Sequence, residues 1–315
     1  MKRRSILLGV PLGAIAPAIF ASPRPVTVVV PYPAGGTTDK VGRYVANGLT
    51  EKLGQNFLVL NKPGAGGTIG ISEVARAPAD GSMLGIVYDS HAVDHLVYPS
   101  LAYHPFRSFE FVSLVVTAPH VLVTSARTPY RTLDDLIAAG KAGPNKVTYG
   151  AIGEGTSTTL NAALFAEKAG FQALRVPYNG GGGAYLADLL AGRFDYIMGA
   201  LPAALAHIES GQLRALAYGG PTRSTLLPEV PTLSETFPGM EAASWVGVVA
   251  PAGLPKARVD QLSDAIRAVV LSEPLRHKLV AEGFVVQGST SAQFLERARA
   301  DSELQSRLLK RGANK

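Results

Sequence analysis

Two glycine-rich segments carry most of the chemistry that this sequence offers, because their glycines stand beside hydroxyl and carboxyl side chains. The first covers residues 33–39 (PAGGTTD) and the second covers residues 153–159 (GEGTSTT). Each follows a short apolar run typical of a strand and precedes a helical pattern. The first turn of a helix leaves backbone N–H groups unpaired at the positive end of its dipole, so both segments are candidate anion sites.

Residues 33–39 combine backbone freedom with side chains that can bind an anion or support its site. Glycine lets the backbone approach a ligand closely. Thr37 or Thr38 can cap the helix or donate a hydroxyl hydrogen bond, and Asp39 can cap the helix or brace the loop. A plain capped turn between a strand and a helix accounts for the same residues equally well. The candidate ligand contacts here are Tyr32, Ala34, Gly35, Gly36, Thr37, Thr38 and Asp39.

Residues 153–159 repeat this design after a later strand pattern. A serine or threonine cap on the helix is the alternative explanation. Glu154 is interpreted as an exposed first-turn charge that favours the helix dipole. Two helix starts that face each other over a cleft would hold a small carboxylate between them. The candidate ligand contacts in this segment are Gly153, Thr156, Ser157 and Thr158.

Four residues at three other predicted strand ends could complete such a site. Gly66 lies in a glycine-rich turn, residues 63–68, that could form a third wall. The glycine spacing there matches neither a P-loop nor a dinucleotide-binding fingerprint, which argues against nucleotide binding. Ser90 and His91 are predicted at the rim of the cleft, and Tyr178 could contact the ligand or pack beneath its own loop.

His91, Asp94 and His95 have a spacing that could also suit a metal ion, because positions i and i+4 share a helix face. The sequence lacks the glutamate of a His-Glu-x-x-His motif, and it has no Gly-x-Ser-x-Gly nucleophile motif. We therefore assign no catalytic residue, no metal ligand and no cofactor. The alternative class is an exported enzyme acting on a small organic acid, for which the sequence shows no coherent pair of base and nucleophile.

The elements that position these residues alternate between short strand patterns and amphipathic helix patterns. This order is typical of α/β folds with parallel strands. Residues 112–123 and 242–250 are apolar and β-rich, and we expect them to be hinge strands that cross between two lobes. Lobe 1 is predicted to comprise residues 22–121 with 246–315, and lobe 2 residues 122–245, each a mostly parallel sheet flanked by helices. Ligands bind such sheets at the carboxyl ends of the strands.

Residues 1–21 have the pattern of a signal peptide. A basic stretch at residues 2–4 precedes an apolar stretch at residues 6–20, which is too short and too interrupted for a membrane-spanning helix of about 20 residues. Cleavage is predicted after Ala21 or after Ala18, and an uncleaved anchor is the alternative. We therefore expect the mature protein to be soluble and to lie outside the cytoplasm.

The composition bounds the class of protein. The chain has 315 residues, 47% hydrophobic and 17% charged, which suits two folded domains rather than a disordered chain. It contains no cysteine, which excludes disulfide scaffolds, thiolate metal sites and a cysteine nucleophile. The formal net charge is +6, and removal of residues 2–4 lowers it by three. No stripe of lysine and arginine interleaved with aromatic residues is present, so no nucleic-acid partner is expected.

Two N-terminal stretches resemble the signatures of a known family. Residues 30–39 (VPYPAGGTTD) and 61–67 (NKPGAGG) are similar to the motifs of the Bug receptors, the substrate-binding proteins of tripartite tricarboxylate transporters. The likeness continues in order along the mature chain, at residues 98–101 (YPSL), 132–137 (TLDDLI), 176–178 (VPY), 213–217 (LRALA), 227–232 (LPEVPT) and 250–253 (APAG).

This resemblance implies a type II periplasmic-binding-protein-like fold, whose two lobes close on a small, usually carboxylated solute. It implies a monomeric receptor in the periplasm of a Gram-negative bacterium that delivers its solute to membrane permease subunits. An orphan receptor that presents its closed form to a sensor kinase is the alternative. In the family, the turn after the first strand holds one ligand carboxylate, partly through ordered waters. That turn corresponds to residues 32–39, and the loop of the second lobe corresponds to residues 153–159.

The chain departs from the family pattern at three places. Thr159 and the leucine after it stand where relatives often carry a histidine, and Asn179 replaces a lysine. Gly199 stands where some relatives have an aspartate that could pair with a ligand amine. The missing acid argues against an amino-acid ligand and leaves carboxylates or neutral aromatic amides as expected solutes.

Overall fold

The structure is a computed structural model that describes residues 24–153, 155–178 and 182–313. The predicted signal peptide at residues 1–21 lies outside the described residues, as do Glu154 and Asn179. Among the helices of the described ranges, none combines the length and the apolar character needed to cross a membrane.

Strands and helices alternate along the described chain, as the sequence predicts. In chain order the strands are β1 (Val26–Val30), β2 (Phe57–Asn61), β3 (Met83–Tyr88), β4 (Phe109–Ser125), β5 (Val147–Ile152), β6 (Ala173–Tyr178), β7 (Ile197–Ala200), β8 (Leu213–Tyr218), β9 (Ala243–Pro251) and β10 (Val285–Val286). The helices are α1 (Thr37–Leu53), α2 (Thr68–Arg76), α3 (Asp94–Val97), α4 (Leu133–Lys141), α5 (Ser157–Ala169), α6 (Gly182–Leu190), α7 (Leu201–Glu209), α8 (Leu233–Thr236), α9 (Lys256–Val270), α10 (Glu273–Ala281) and α11 (Ser291–Ala313).

The first lobe is built around a sheet in which β1 lies between β2 and β3. Both neighbours run parallel to β1. The residues of β1 are β-branched and mostly buried, as expected for a strand that is covered on both faces. Because the three strands run in one direction, the turns that follow them meet at one edge of the sheet. This edge carries Tyr32, the glycine-rich turn at residues 63–67 and the short 3₁₀ turn Asp89–Val93.

The strands β4 and β9 join the two lobes. β4 is 17 residues long; its first part pairs antiparallel with β9, and its second part, from His120 onward, pairs antiparallel with β7 and β8. One continuous strand therefore belongs to both lobes, and β4 and β9 coincide with the hinge strands predicted at residues 112–123 and 242–250. They make the sheet mixed rather than wholly parallel. The exact lobe boundaries stay a prediction.

The second lobe repeats the parallel arrangement on a smaller scale. β5 pairs in parallel with β6, and a parallel bridge joins Tyr149 of β5 to Tyr196, just before β7. Phe165 of α5 packs edge-on against Tyr196 in the core of this lobe. The turn after β5 therefore places the start of α5 at the edge of the second lobe in the same way that β1 places α1.

The C-terminal helices return to the first lobe. The apolar residues between 256 and 271 recur at the spacing of one helix face, which predicts an amphipathic helix. This helix is confirmed as α9, whose buried stripe includes Val259 and Ile266. α9 packs closely on α1, since a Cβ atom at Gly48 would lie 2.2 Å from a methyl carbon of Val269. Farther along, the indole N–H of Trp245 in β9 donates a 2.7 Å hydrogen bond to Asp301 of α11. These contacts tie the end of the chain to a crossing strand.

Candidate ligand-binding site

The start of α1 is exposed and has no side-chain cap. Gly36 is the N-cap residue, and residues 34–36 are exposed. Of the two roles that the sequence left open for Thr37 and Thr38, capping does not apply, because both residues lie inside the first turn of the helix, where their own backbone N–H groups need acceptors. The N–H groups of this turn are therefore placed for an external acceptor such as a carboxylate.

Asp39 braces this turn from below. It is buried, and its Oδ2 accepts hydrogen bonds from the backbone N–H of Gly35 (2.9 Å) and from Nε of Arg43 (3.0 Å). Its Oδ1 accepts a hydrogen bond from Nδ2 of Asn61 at 2.8 Å. Burial pushes the pKa of Asp39 upward, but the bonds from Arg43, Gly35 and Asn61 together hold it below its usual value. The carboxylate thus stays charged and fixes Gly35, whose φ of +87° suits glycine.

Tyr32 connects the α1 turn to the third glycine-rich turn. Its hydroxyl donates to the backbone carbonyl of Gly66 at 3.3 Å, and its ring packs edge-on against Tyr88 with 6.3 Å between centroids. A Cβ atom at Gly66 would lie 2.2 Å from the hydroxyl oxygen of Tyr98. Burial raises the pKa of Tyr32, and a hydrogen bond with Ser90 opposes this shift. Gly66 and Ser90 therefore lie around Tyr32 at the edge of the first lobe.

The start of α5 is capped by a side chain. The Oγ1 of Thr156 accepts a 3.4 Å hydrogen bond from the N–H of Thr159 and donates to the carbonyl of Ile152 at 2.6 Å. Before the cap, Gly153 has a φ of +68°. The alternative that this segment contains a serine or threonine cap is therefore correct for Thr156. The N–H groups in the first turn after the cap still need acceptors.

The start of α5 lies directly against the first lobe. A Cβ atom at Gly155 would lie 2.9 Å from a methyl carbon of Val97 and 3.1 Å from one of Val93. Ser157, the first residue of α5, lies beside Asp89 at the end of β3. The structure thus brings the second helix start to the strand edge of the first lobe, with room only for glycine at the point of contact.

His91 does not lie at the rim where the sequence places it. Its side chain is buried, its Nε2 lies 3.0 Å from the carbonyl of Pro105, and its ring stacks on Tyr103. Burial lowers the pKa of His91 to about 4, so the ring is neutral. The rim prediction is wrong for His91 because three aromatic rings surround it. Asp94, which the metal alternative would use as a ligand, accepts a 2.6 Å hydrogen bond from the Tyr103 hydroxyl.

Tyr178 packs inside the second lobe. Its hydroxyl donates to Oδ2 of Asp188 at 2.8 Å, and its ring lies against Tyr185 and Phe194. Burial and the neighbouring Asp188 raise the pKa of Tyr178 to about 12. Of the two roles that the sequence left open, this geometry favours packing over ligand contact.

The structure also brings together residues that the sequence did not single out. His120 of β4 places Nε2 3.3 Å from Oγ of Ser157, and its Nδ1 lies 3.5 Å from the amide nitrogen of Asn161. Asp89 is buried next to the same serine. Two features of the sequence could have indicated these residues. His120 is a histidine within an apolar strand pattern, and Asp89 is an acid directly after a buried strand.

The pairing of His120 with Ser157 is not a catalytic arrangement. Burial lowers the pKa of His120 to about 3, and a base that weak removes a hydroxyl proton poorly near neutral pH. The pair instead joins a crossing strand to the start of α5, which places it where the two lobes hinge.

Two sheets, two strands that cross between them and a helix start at a parallel strand end in each lobe define the two-lobed class of solute-binding proteins. Within this class, residues 41–312 match the model of the tripartite tricarboxylate transporter family receptor, so the chain belongs to that family. The members of this family are solute-binding receptors rather than enzymes.

Several proteins are similar to the chain in sequence, and two of them are solved structures with a similar fold. Protein BugT of Bordetella pertussis is 38% identical over 270 residues, covering 85% of this chain and 81% of its own length. The solved structure of periplasmic binding protein BugD is 30% identical with a TM-score of 0.83, covering 92% of this chain and 98% of that one. R. palustris Rpa4515, solved with adipate, is 33% identical with a TM-score of 0.86, covering 91% and 96%.

Proposed function

We propose that this protein is an extracytoplasmic receptor that captures a small carboxylate between its lobes and delivers it to a tripartite tricarboxylate-type membrane permease. One observation carries the proposal: α1 and α5 each start at the carboxyl end of a parallel strand, one in each lobe. Unpaired N–H groups and positive dipole ends stabilise a carboxylate. Membership of the receptor family and the adipate complex of Rpa4515 support the same class of ligand.

Each helix start has a defined part in the proposed complex. The backbone of residues 34–38 holds one carboxylate of the solute, and Asp39 acts as a positioning residue that keeps this turn in shape. The N–H group of Thr158 reaches the solute from the other lobe, while Ser157 beside it lies against Asp89. Tyr32 lies beside the first turn, and closure of the lobes about the crossing strands completes the site.

The location and partners form part of the same proposal. The receptor is periplasmic, residues 1–21 are its signal peptide, and lobe 1 (22–121 with 246–315) and lobe 2 (122–245) move as two bodies in a monomer. The loaded receptor docks on the permease subunits. A sensor kinase is the competing partner, and a pull-down with purified permease or sensor domains separates the two.

Calorimetry on the purified chain tests the proposal. A thermal-shift screen of di- and tricarboxylates, including adipate, identifies a solute, and calorimetric titration then measures its affinity and stoichiometry. We expect one solute bound per chain and unchanged solute after incubation. Asp39→Ala and Thr38→Ala are expected to weaken binding, whereas Asp134→Ala, an exposed acid on α4, is the matched control.

Three results would contradict this function. The first is the absence of binding by every carboxylate tested, and the second is wild-type affinity in both Asp39→Ala and Thr38→Ala. The third is a chemically altered solute after incubation, which would favour the exported-enzyme alternative.

A further inference from the structure

Asp89 is a buried carboxyl group that forms no ion pair with any residue of the described ranges. It follows β3 directly and is only 1% exposed. Neither of its two oxygens has a hydrogen-bond partner of ordinary geometry among the described residues. Buried polar groups in native proteins are almost always paired, and an unpaired carboxyl carries a large desolvation cost. The unpaired state of Asp89 therefore points to a partner that arrives from outside the chain.

The other buried acids at this edge are partnered. Both oxygens of Asp39 accept hydrogen bonds, and Asp94 accepts one from Tyr103. No ion pair within the described ranges includes Asp89, so the protein supplies it with no cation there. Among these buried acids, only Asp89, which faces the second lobe, lacks a partner of ordinary geometry among the described residues.

The surroundings of Asp89 define what it can bind. The hydroxyl and N–H of Ser157 lie close to Asp89 across the lobe boundary, and the N–H of Ser90 lies beside Asp89 on its own lobe. These groups act to lower the pKa of Asp89. Burial has the larger effect and, with the carboxylate of Asp301 on α11, raises the pKa of Asp89 to about 8. Asp301 is itself engaged by Trp245 and Arg297. Asp89 therefore lacks a cation at the place where α5 meets the first lobe.

We propose that Asp89 is the specificity-determining residue of the cleft and that it receives an ammonium group of the solute, so that the preferred solute carries both a carboxylate and an ammonium group. This inference rests on the proposed function, since the carboxylate is held by the helix starts. An ammonium group would supply the hydrogen bonds and the charge that the buried carboxyl lacks. A second carboxylate at this position would offer Asp89 neither a cation nor a hydrogen-bond donor.

Asp89 also alters the expectation that followed from Gly199. The sequence argued against an amino-acid ligand because the aspartate that some relatives carry there is absent. Gly199 lies in β7, which pairs with β4 in the second lobe, whereas Asp89 reaches the lobe boundary from β3. The acid that an ammonium group needs is therefore present on the opposite lobe.

The test compares amino acids with carboxylic acids that lack only the amino group, such as L-aspartate with succinate and L-glutamate with glutarate. We expect the wild-type chain to bind at least one amino acid at least tenfold more tightly than the matching acid without the amino group. This factor corresponds to the free energy of one charge-assisted hydrogen bond. Asp89→Asn should remove this preference and leave the affinity for the dicarboxylate within about threefold. Asp94→Asn, a buried acid that is already partnered, should keep the preference.

Proton release gives a second measurement on the wild-type chain alone. Near neutral pH the carboxyl of Asp89 is largely protonated, so pairing with an ammonium group should release close to one proton per solute bound. Titrations in two buffers of different ionisation enthalpy measure this number. Tyr88 and Asp301 are the other ionisable groups close to Asp89, so the same measurement on Asp89→Asn isolates the contribution of Asp89.

The outcomes separate this inference from the function on which it rests. Binding of plain dicarboxylates in preference to every amino acid would overturn the inference and leave the receptor function standing. An unchanged preference in Asp89→Asn, or no proton release on amino-acid binding, would overturn it as well. If neither kind of compound binds, the proposed function fails and the inference falls with it.

Discussion

Two aspartates, one at each helix start, have opposite environments. Asp39 lies under the exposed start of α1 and accepts three hydrogen bonds, which lower its pKa. Asp89 faces the capped start of α5, has no partner of ordinary geometry among the described residues, and has a raised pKa. The first acid prepares its helix start within one lobe. Asp89, beside the start of α5, gains a partner only when a solute binds. The binding surface of the first lobe is therefore formed before the ligand arrives, whereas the surface around Asp89 is completed by the ligand.

The largest expected effect concerns the pH dependence of stability. The pKa of Asp89 is raised to about 8 in the folded protein, and that of Asp94 to about 7. These two groups make the folded state bind more protons than the unfolded state between about pH 4 and pH 8. The lowered pKa values of the buried His91 and His120 act in the opposite direction below about pH 6.5, so the free energy of unfolding falls with rising pH mainly between about pH 6.5 and pH 8. Denaturant titrations of the ligand-free wild type and of Asp89→Asn should show a shallower fall in the variant.

Asp39 acts in the opposite direction and outside this window. Its lowered pKa adds stability above the pKa of the unfolded chain, and this stability is lost only when the pH falls below about 4. Equal pH slopes in the wild type and in Asp89→Asn between pH 4 and pH 8 would contradict the contrast between the two aspartates.

Removal of the Asp39 brace should produce the next largest effect. Asp39→Ala leaves the side chains of Arg43 and Asn61 and the N–H of Gly35 without an acceptor, so we expect a loss of about 2–3 kcal/mol in the free energy of unfolding. Chemical denaturation measures it. The control is Asp260→Ala, which removes an exposed ion pair with Lys256 and should cost under about 1 kcal/mol. Equal losses in the two variants would argue against the brace.

Substitution of Gly155 tests the contact between the start of α5 and the first lobe. A methyl group at Gly155 would press on Val93 and Val97, and overpacking of about 1–3 kcal/mol should disfavour the closed form and raise the Kd about tenfold. The melting temperature should change little, because the lobes can separate. Gly143→Ala, whose methyl would lie 3.5 Å from Lys146, is the matched control. Wild-type affinity in Gly155→Ala would show that the closed form is not the bound form.

The smallest expected effect concerns the cap of α5. Thr156→Val should cost about 1 kcal/mol of stability and also weaken solute binding, since the cap holds the helix start that reaches the solute. Thr132→Val removes the cap of α4, where Thr132 accepts from the N–H of Asp135. It should cost a similar amount in thermal denaturation with no change in Kd. Weaker binding in Thr132→Val as well would remove the distinction between the two caps.

Local patterns were sufficient for most of the architecture. The alternation of strands and helices, the helix at residues 256–271 and the two crossing strands follow from period and composition, which depend on neighbouring residues. The bracing role of Asp39 was also accessible, because its partner Gly35 lies four residues away. The placement of His91 was not, since its burial depends on Phe109 and other aromatic residues that reach it from β4.

The sequence alone therefore determined the family, the two glycine-rich helix starts and the order of elements that presents them. Tertiary structure decided that Thr156, rather than Thr37 or Thr38, is a cap, that Tyr178 packs inward, and that Asp89 meets Ser157. The physical reason is distance along the chain. Asp89 and Ser157 lie on different lobes and become neighbours only when β4 and β9 bring the two sheets together.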